Sequence, residues 1–476
     1  MNPELHPGPY NASGQTSLLE RRARSIALAI LLAAWLCTGC SFLLDFDECS
    51  VADDCGDPTL SCISNQCVQN VVSGELTADT VWTSDKTWVL EGLVYVLPPA
   101  TLTIEPGTRV IGQSNSALVV AQGGRISARG RPDEPIVFTS FRAPGERRTG
   151  DWGGVALLGR APTNEAGAQL EGLNDLTYAG FGGEEPEYTC GTLQYVRIEF
   201  AGFALKRDEE LNGLTLGGCG SQTIVDFVQV HFGLDDGVEV FGGSVDLNHI
   251  VITRAQDDSL DWDRGWTGRA QFVAVQQDSE GDNGIEADNW SDGNDASPRS
   301  KPTIYNYTLI GSGADGSQRG ITFKEGTAGQ MANGIIMGQP LEGIDIAETA
   351  TVNQLMTDEL QVRHTLFFDI GVGGTHYFPT LAEETEQEPD DERQDDGGFD
   401  EEAHFQNPDY NNTFGQDPAI ASPYSLTSPS WVPTSTNLPT GITPPPGFID
   451  ESSNYLGAFE PGAVPWTEGW TAYPEN

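Results

Sequence analysis

The chain has 476 residues, room for one large domain or two to three ordinary ones, and it carries 70 acidic against 24 basic side chains, a net charge of −46. Such a balance excludes nucleic acid and anionic lipid headgroups as electrostatic partners and attracts cations. An apolar content of 38% with 10 Trp, 20 Phe and 12 Tyr still supplies a core, so charge alone does not make the chain disordered; 56 Gly and 29 Pro call for frequent turns.

Residues 1–39 read as an export signal. Arg21, Arg22 and Arg24 flank the twelve-residue apolar run Ser25 to Leu36, too short to span a bilayer comfortably and the right length for a signal h-region. The run ends in Leu36-Cys37-Thr38-Gly39-Cys40. Small residues before a cysteine resemble a bacterial lipobox, with Cys37 standing where Leu is usual. The resemblance implies lipidation at Cys40, a lipid anchor in the membrane, and placement at the outer membrane of a Gram-negative bacterium, since Ser41 rather than Asp follows. An ordinary signal peptide with a chance cysteine is the alternative. Cleavage removes three Arg and two Glu and leaves a net charge of −47.

Export implies an oxidising compartment. Within residues 40–70, Cys49, Cys55, Cys62 and Cys67 fall in a nineteen-residue stretch too short for a core, which points to two disulfides in any of three pairings. Zinc is the alternative, but loops of five, six and four residues lack a C-x-x-C knuckle. The segment reads as a stable spacer between anchor and body. Cys190 and Cys219 remain as an even pair for a third bridge.

Residues 71–380 show short alternating strands and turns. TLTIEPGTRVIG from Thr101 alternates, turns at Pro106-Gly107 and alternates again. A repeat follows: NGLTL (Asn212), DGVEV (Asp236), DSLDW (Asp258), NGIEA (Asn283), RGITF (Arg319) and EGIDI (Glu342), at steps of 24, 22, 25, 36 and 23 residues. A first strand recurs with it, as YVRIEF (Tyr195), FVQVHF (Phe227), HIVITR (His249), FVAVQQ (Phe272), YTLIGS (Tyr307) and GIIMGQ (Gly334). A period near 22 fits one coil of a parallel β-helix, with coils about 4.8 Å apart. Propeller blades are about twice as long, and the fixed Leu/Asn pattern of leucine-rich repeats is absent.

TLTIEPGTRV, ALVVAQGGRISARG, VQVHFGLDDGVEVFGG and the ending NYLGAFEPGAVPWTEGWTAYPE resemble a group of bacterial surface lipoproteins. Their fold resembles the right-handed parallel β-helix of the pectate-lyase-like superfamily. The resemblance spans nearly all of Gly74 to Asn476. It implies an all-β, right-handed parallel β-helix solenoid and no particular activity. Solenoid ends need covers. The cysteine-rich module serves one end, and residues 404–476, with Trp466, Trp470 and Tyr473, are expected as an irregular C-terminal cap on the other. Between them, residues 381–403 form an acidic block that reads as a solvated, disordered loop, or else as a cation- or partner-binding one.

In DGVEV, Val238 and Val240 point inward, so Glu239 points outward, and Asp261 and Glu286 take the same place on the next coils. Thr322 interrupts the row and Asp345 follows. Stacked about 5 Å apart, each like-charge contact costs about 3 kcal/mol at an effective dielectric near 20. Asp235, Asp236, Asp257, Asp258 and Asp282 stand at the preceding turn, and Asp263 and Asp288 extend the strip. Calcium would relieve the repulsion through Asp235, Asp236, Glu239, Asp257, Asp258, Asp261, Asp282 and Glu286. Nearby Arg254, Arg264 and Arg269, or partial protonation, are other routes. The plain alternative is that Asp and Asn before Gly shape the coil corners.

Two function classes fit. The first is a non-catalytic, monomeric surface protein that binds glycans or cations, with Trp262, Trp266 and Trp290 suited to stacking on sugars, although Trp262 is also in phase for the core. The second is a calcium-dependent polysaccharide lyase or glycosidase. Arg254, Arg264, Arg269, Arg319 or Lys324 would be its base, or Asp236, Asp257, Asp258 and Asp261 its carboxylates. No nucleophile, phosphate or dinucleotide motif appears, His231 and His249 read as surface residues, and fold analogy alone does not give an activity.

Overall fold

The computed structural model describes residues 61–476 apart from 64–65, 69, 171–172, 174–175, 204–210, 314–315 and 381–395. The export signal, Cys40, Cys49 and Cys55 lie outside the described residues. Cys67 is disulfide-bonded.

From Val71 onward the chain winds as a parallel β-helix, and 23 of its strands join in one continuous sheet. Each coil in the middle of the solenoid supplies one long and one short strand. The long strands Gly191–Glu199, Ile224–His231, Asp246–Thr253, Arg269–Gln276, Thr303–Ile310, Gly329–Met337 and Leu360–Phe368 pair in parallel, each with the next. The short strands Leu214–Gly217, Val238–Phe241, Leu260–Asp263, Asn283–Ala287, Arg319–Phe323 and Ile344–Ile346 stack likewise. Alternate residues fill the interior. Val228, Ile250, Val273 and Tyr307 form one buried row and Val238, Leu260, Ile285 and Ile321 another. Mostly β-branched or large apolar side chains suit a pleated surface stacked on itself.

Each long strand bends at one residue of left-handed backbone: Tyr195, Phe227, His249, Phe272, Asn306, Asn333 and His364, with φ between 47° and 63°. A non-glycine residue there costs on the order of 1–3 kcal/mol. Stacking along the column offsets the cost. Ring centroids lie 4.4 Å apart for Tyr195 and Phe227, 4.1 Å for Phe227 and His249, and 4.9 Å for His249 and Phe272. Asn306 and Asn333 tolerate the conformation intrinsically.

His249 is therefore held in an aromatic column and bonded to Asp226 (2.9 Å), not displayed on the surface. His231 is buried as well, between the Thr253 hydroxyl (2.7 Å) and the Pro474 carbonyl (2.9 Å). Trp262 and Trp266 are core residues, 1% and 0% exposed, so neither offers a face to a sugar; Trp290 is half-buried. Cys190 and Cys219 form the expected bridge.

The C-terminal region divides in two. The end of the acidic block is folded, not a loop: Asp396 accepts from the Gly398 and Phe399 amides, Asp400 caps the helix Glu401–Phe405, and Glu401 is buried. Phe405 packs on Phe378 over the last coils. Residues 420–476 do not cap that end. They run back along the flank toward the first coils. Asn333 contacts Ile442, Asn306 contacts Tyr455, Gln229 pairs with Ala472 through both amide atoms, and the Gly145 N–H reaches the Asn476 carbonyl. Trp466, Trp470, Phe459 and Trp431 bury themselves on Val251, Ala274, Ile310 and Ile335, the outward residues of the long strands.

Candidate cation site on the acidic face

The short strands bring the outward acids into register. Thr215, Glu239, Asp261, Glu286, Thr322 and Asp345 face one another in that order. The bend before each strand adds Asp235, Asp236, Asp257, Asp258 and Asp282. Asp235, Asp236, Glu239, Asp257, Asp258, Asp261 and Glu286, together with Leu170 and Phe241, line a cavity of about 300 Å³. Asp236, Asp258, Asp261 and Asp288 are nearly closed to solvent, at 7%, 4%, 7% and 8% exposure.

Two acids act as corner formers. Asp236 accepts the Asp258 amide (3.0 Å) and Asp258 accepts the Asn283 amide (2.6 Å), each tying one coil to the next. That accounts for one oxygen of each. At the edges, basic residues take up the charge. Lys324 pairs with Glu286 (3.1 Å) and Asp288 (3.7 Å), Arg264 with Glu165 (3.0 Å) and Asp263 (3.5 Å), and Arg319 with Glu342, Asp345 and Asp282 (3.1, 3.3 and 3.8 Å).

The centre has no such compensation. No basic side chain among the described residues lies within 4.0 Å of Asp236, Glu239 or Asp261. The Glu239 and Asp261 carboxyls face each other across adjacent coils, with oxygens within 4.8 Å, an approach that a proton or a cation between them relieves. One oxygen of Asp261, Oδ1, is buried with no hydrogen-bond partner among the described residues. Three sets of acids each place one oxygen per residue within 4.8 Å of the others: Asp235, Asp236 and Asp257; Asp236, Glu239 and Asp261; Asp257, Asp258 and Asp282. Glu286 is drawn aside to Lys324 and joins none of the three.

Burial, then mutual repulsion, raises the whole group. The Asp236 carboxyl is pushed well above the usual carboxylate range by burial and then by Asp261 and Glu239, and Glu239 by burial and then by Asp261. Asp258 and Asp261 are raised by burial and by Glu286. Burial also pushes Asp263 up to about 6, against the pull of the Arg264 amide and guanidinium. Asn212 was not evident from the acid pattern. Its amide donates to Glu239 and Thr215 from the position that Asp236, Asp258 and Asn283 hold on later coils, and that repeat position is the signal that marks it.

The candidate bases of a lyase are all engaged. Arg254 pairs with Asp278 (2.7 Å) and Arg269 with Asp246 (2.5 Å), beside the Arg264, Arg319 and Lys324 pairs above.

Stacked coils of parallel strands with an outward acidic strip define a parallel β-helix. The sequence matches the pectate-lyase like β-helix domain over residues 74–404, and the chain belongs to that family. Neither a curated protein nor a solved structure shows a significant match.

Proposed function

We propose that this chain is an exported, non-catalytic β-helical surface protein that binds a divalent cation, calcium foremost, in the carboxylate cavity. The single observation behind this reading is Asp261: a buried carboxylate with one bare oxygen, beside Asp236 and Glu239, with no basic side chain within 4.0 Å among the described residues. Desolvated acids at this spacing need a proton or a cation, and a hard divalent ion ligated by carboxylate oxygens is the chemical match. Asp236, Glu239 and Asp261 would hold it, with Asp235 and Asp257 or Asp258 and Asp282 completing neighbouring positions. A cation there would also let an acidic glycan approach a face that otherwise repels it. The ion-paired state of every candidate base supports a binding role over lyase chemistry. Lipidation at Cys40 and outer-membrane placement complete the proposal; mass spectrometry of the membrane-extracted protein tests them.

The cation reading is tested by titrating calcium into the mature chain (residues 41–476), by calorimetry and by melting with and without EDTA. Calcium at 100 times its dissociation constant raises stability by about 2.7 kcal/mol. Asp261→Asn should remove both the heat and the shift. Unchanged melting in EDTA and in calcium rejects the cation and leaves the acids as corner formers.

A further inference from the structure

In a chain with only 24 basic residues, four arginines line one cavity of about 800 Å³: Arg142, Arg147, Arg148 and Arg254. It lies beside the bend between the long and short strands, where residues 142–149 loop out, and Glu475 and Asn476 close its rim. The loop is built around one acid. Buried Asp151 accepts from the Ser140 hydroxyl (2.5 Å), the Arg148 amide (2.9 Å) and Arg142 Nε (2.7 Å).

Three of the arginines are fixed in the same way. Arg142 is anchored through Nε to Asp151, Arg147 through Nε to the Arg142 carbonyl (3.3 Å), and Arg254 through Nε to Asp278 (2.7 Å). None of their terminal Nη atoms donates a hydrogen bond among the described residues, and Arg148 is exposed. Aromatic rings face three of them, Arg142 lying 5.0 Å from the centre of Phe141. Arg147 lies 5.6 Å from the centre of Phe200, Phe200 lies 5.8 Å from Phe232, and Arg254 sits 3.8 Å over Phe232. Phe200, Phe232 and Arg254 all have left-handed backbone, φ 61°, 59° and 61°, so the column is kept at a conformational cost. Buried Arg147 is further crowded by Arg109, and burial lowers its pKa. Guanidinium forks fixed at their stems, with free terminal N–H groups, present the geometry that takes tetrahedral oxyanions two oxygens at a time. The lining acids Glu146 and Glu475, with Asp151 and Asp278 behind Arg142 and Arg254, balance the four guanidinium charges, so an anion is held here by directed N–H groups and not by excess charge.

We infer that the Arg142–Arg147–Arg148–Arg254 cavity is a binding site for a phosphate or sulfate monoester carried on a sugar-sized group. The volume exceeds what a bare ion fills and falls in the range of small-molecule sites. Phe232 supplies an apolar wall for the carrier. The site shares no lining residue with the carboxylate cavity and needs no cation.

The test is calorimetry on the mature chain in EDTA, with inorganic phosphate, glucose 6-phosphate and glucuronate as probes. Glucose 6-phosphate should bind saturably, with glucuronate about tenfold weaker, because a monocarboxylate engages fewer charge-assisted hydrogen bonds. Arg148→Gln, at an exposed position, should weaken glucose 6-phosphate by about fivefold or more, and Arg148→Glu by more still. Asp261→Asn should leave it unchanged, which separates this site from the cation cavity. Inorganic phosphate binding as tightly as the sugar phosphate identifies the free ion as the ligand and overturns the sugar-borne assignment. Absence of saturable binding by every probe to about 10 mM, or equal affinity in Arg148→Glu, overturns the site altogether.

Discussion

Glu239 and Asp261 stand opposite each other on adjacent coils with carboxyl oxygens within 4.8 Å of each other. A proton or a cation between them relieves the repulsion of so close an approach, and stability therefore depends on both.

The proton dependence has a definite sign. A carboxyl whose folded pKa is raised takes up a proton on folding. Its contribution is intact below the unfolded value of about 4 and turns unfavourable as pH rises through the folded value. Asp263 at about 6 and Glu325 at about 7 mark the window, and Asp236, Glu239, Asp258 and Asp261 shift the same way. In EDTA the melting temperature should fall between pH 5 and pH 8, and Glu239→Gln with Asp261→Asn should flatten that slope. A wild-type melting temperature that climbs over this range contradicts the assignment.

Calcium should reverse that slope at pH 8. The gain should vanish in Asp236→Asn and Glu239→Gln but survive in Asp345→Asn, because Asp345 is already paired with Arg319 at 3.3 Å. Melting curves of the three variants with and without calcium make the comparison.

His231 acts in the opposite direction. Burial pushes its imidazole down to about 4, so the folded chain holds it neutral while an unfolded chain charges it below about 6.5. Stability is full above that pH and is lost as pH falls toward 4, by up to about 3 kcal/mol. Denaturant unfolding of His231→Gln should lose this acid-side loss while paying a constant cost for the Pro474 contact.

Opening the bridge between Cys190 and Cys219, 29 residues apart, should cost about 3–4 kcal/mol by chain entropy. Ser substitutions at both positions, compared by denaturant midpoint, measure it.

Much of the fold was legible because a solenoid repeats its own rules. The Val-x-Val alternation in DGVEV and its relatives determined which side chains face in, and the register Glu239–Asp261–Glu286 followed from the repeat spacing alone. Contacts between distant parts of the chain were not legible. Trp262 alternates inward yet sits in an acid-rich stretch, and only residues from elsewhere in the chain decide the burial of its neighbours. His231 looked like a surface residue because nothing local announces Pro474, 243 residues away. The arginine cavity escaped for the same reason: Arg142 and Arg254 belong to different coils.

The returning segment changes how the whole molecule should come apart. Coils in a solenoid touch only their neighbours, so a bare stack can fray from either end, one coil at a time. Here Asn333, Asn306, Gln271, Gln229 and Gly145 are all clasped by one continuous stretch of chain between Ile442 and Asn476. Losing an end coil then disturbs the clasp on the others. Amide exchange should show coils from the first to the last opening together in one cooperative unit, and pulling on the chain ends should give a single large rupture in place of a staircase.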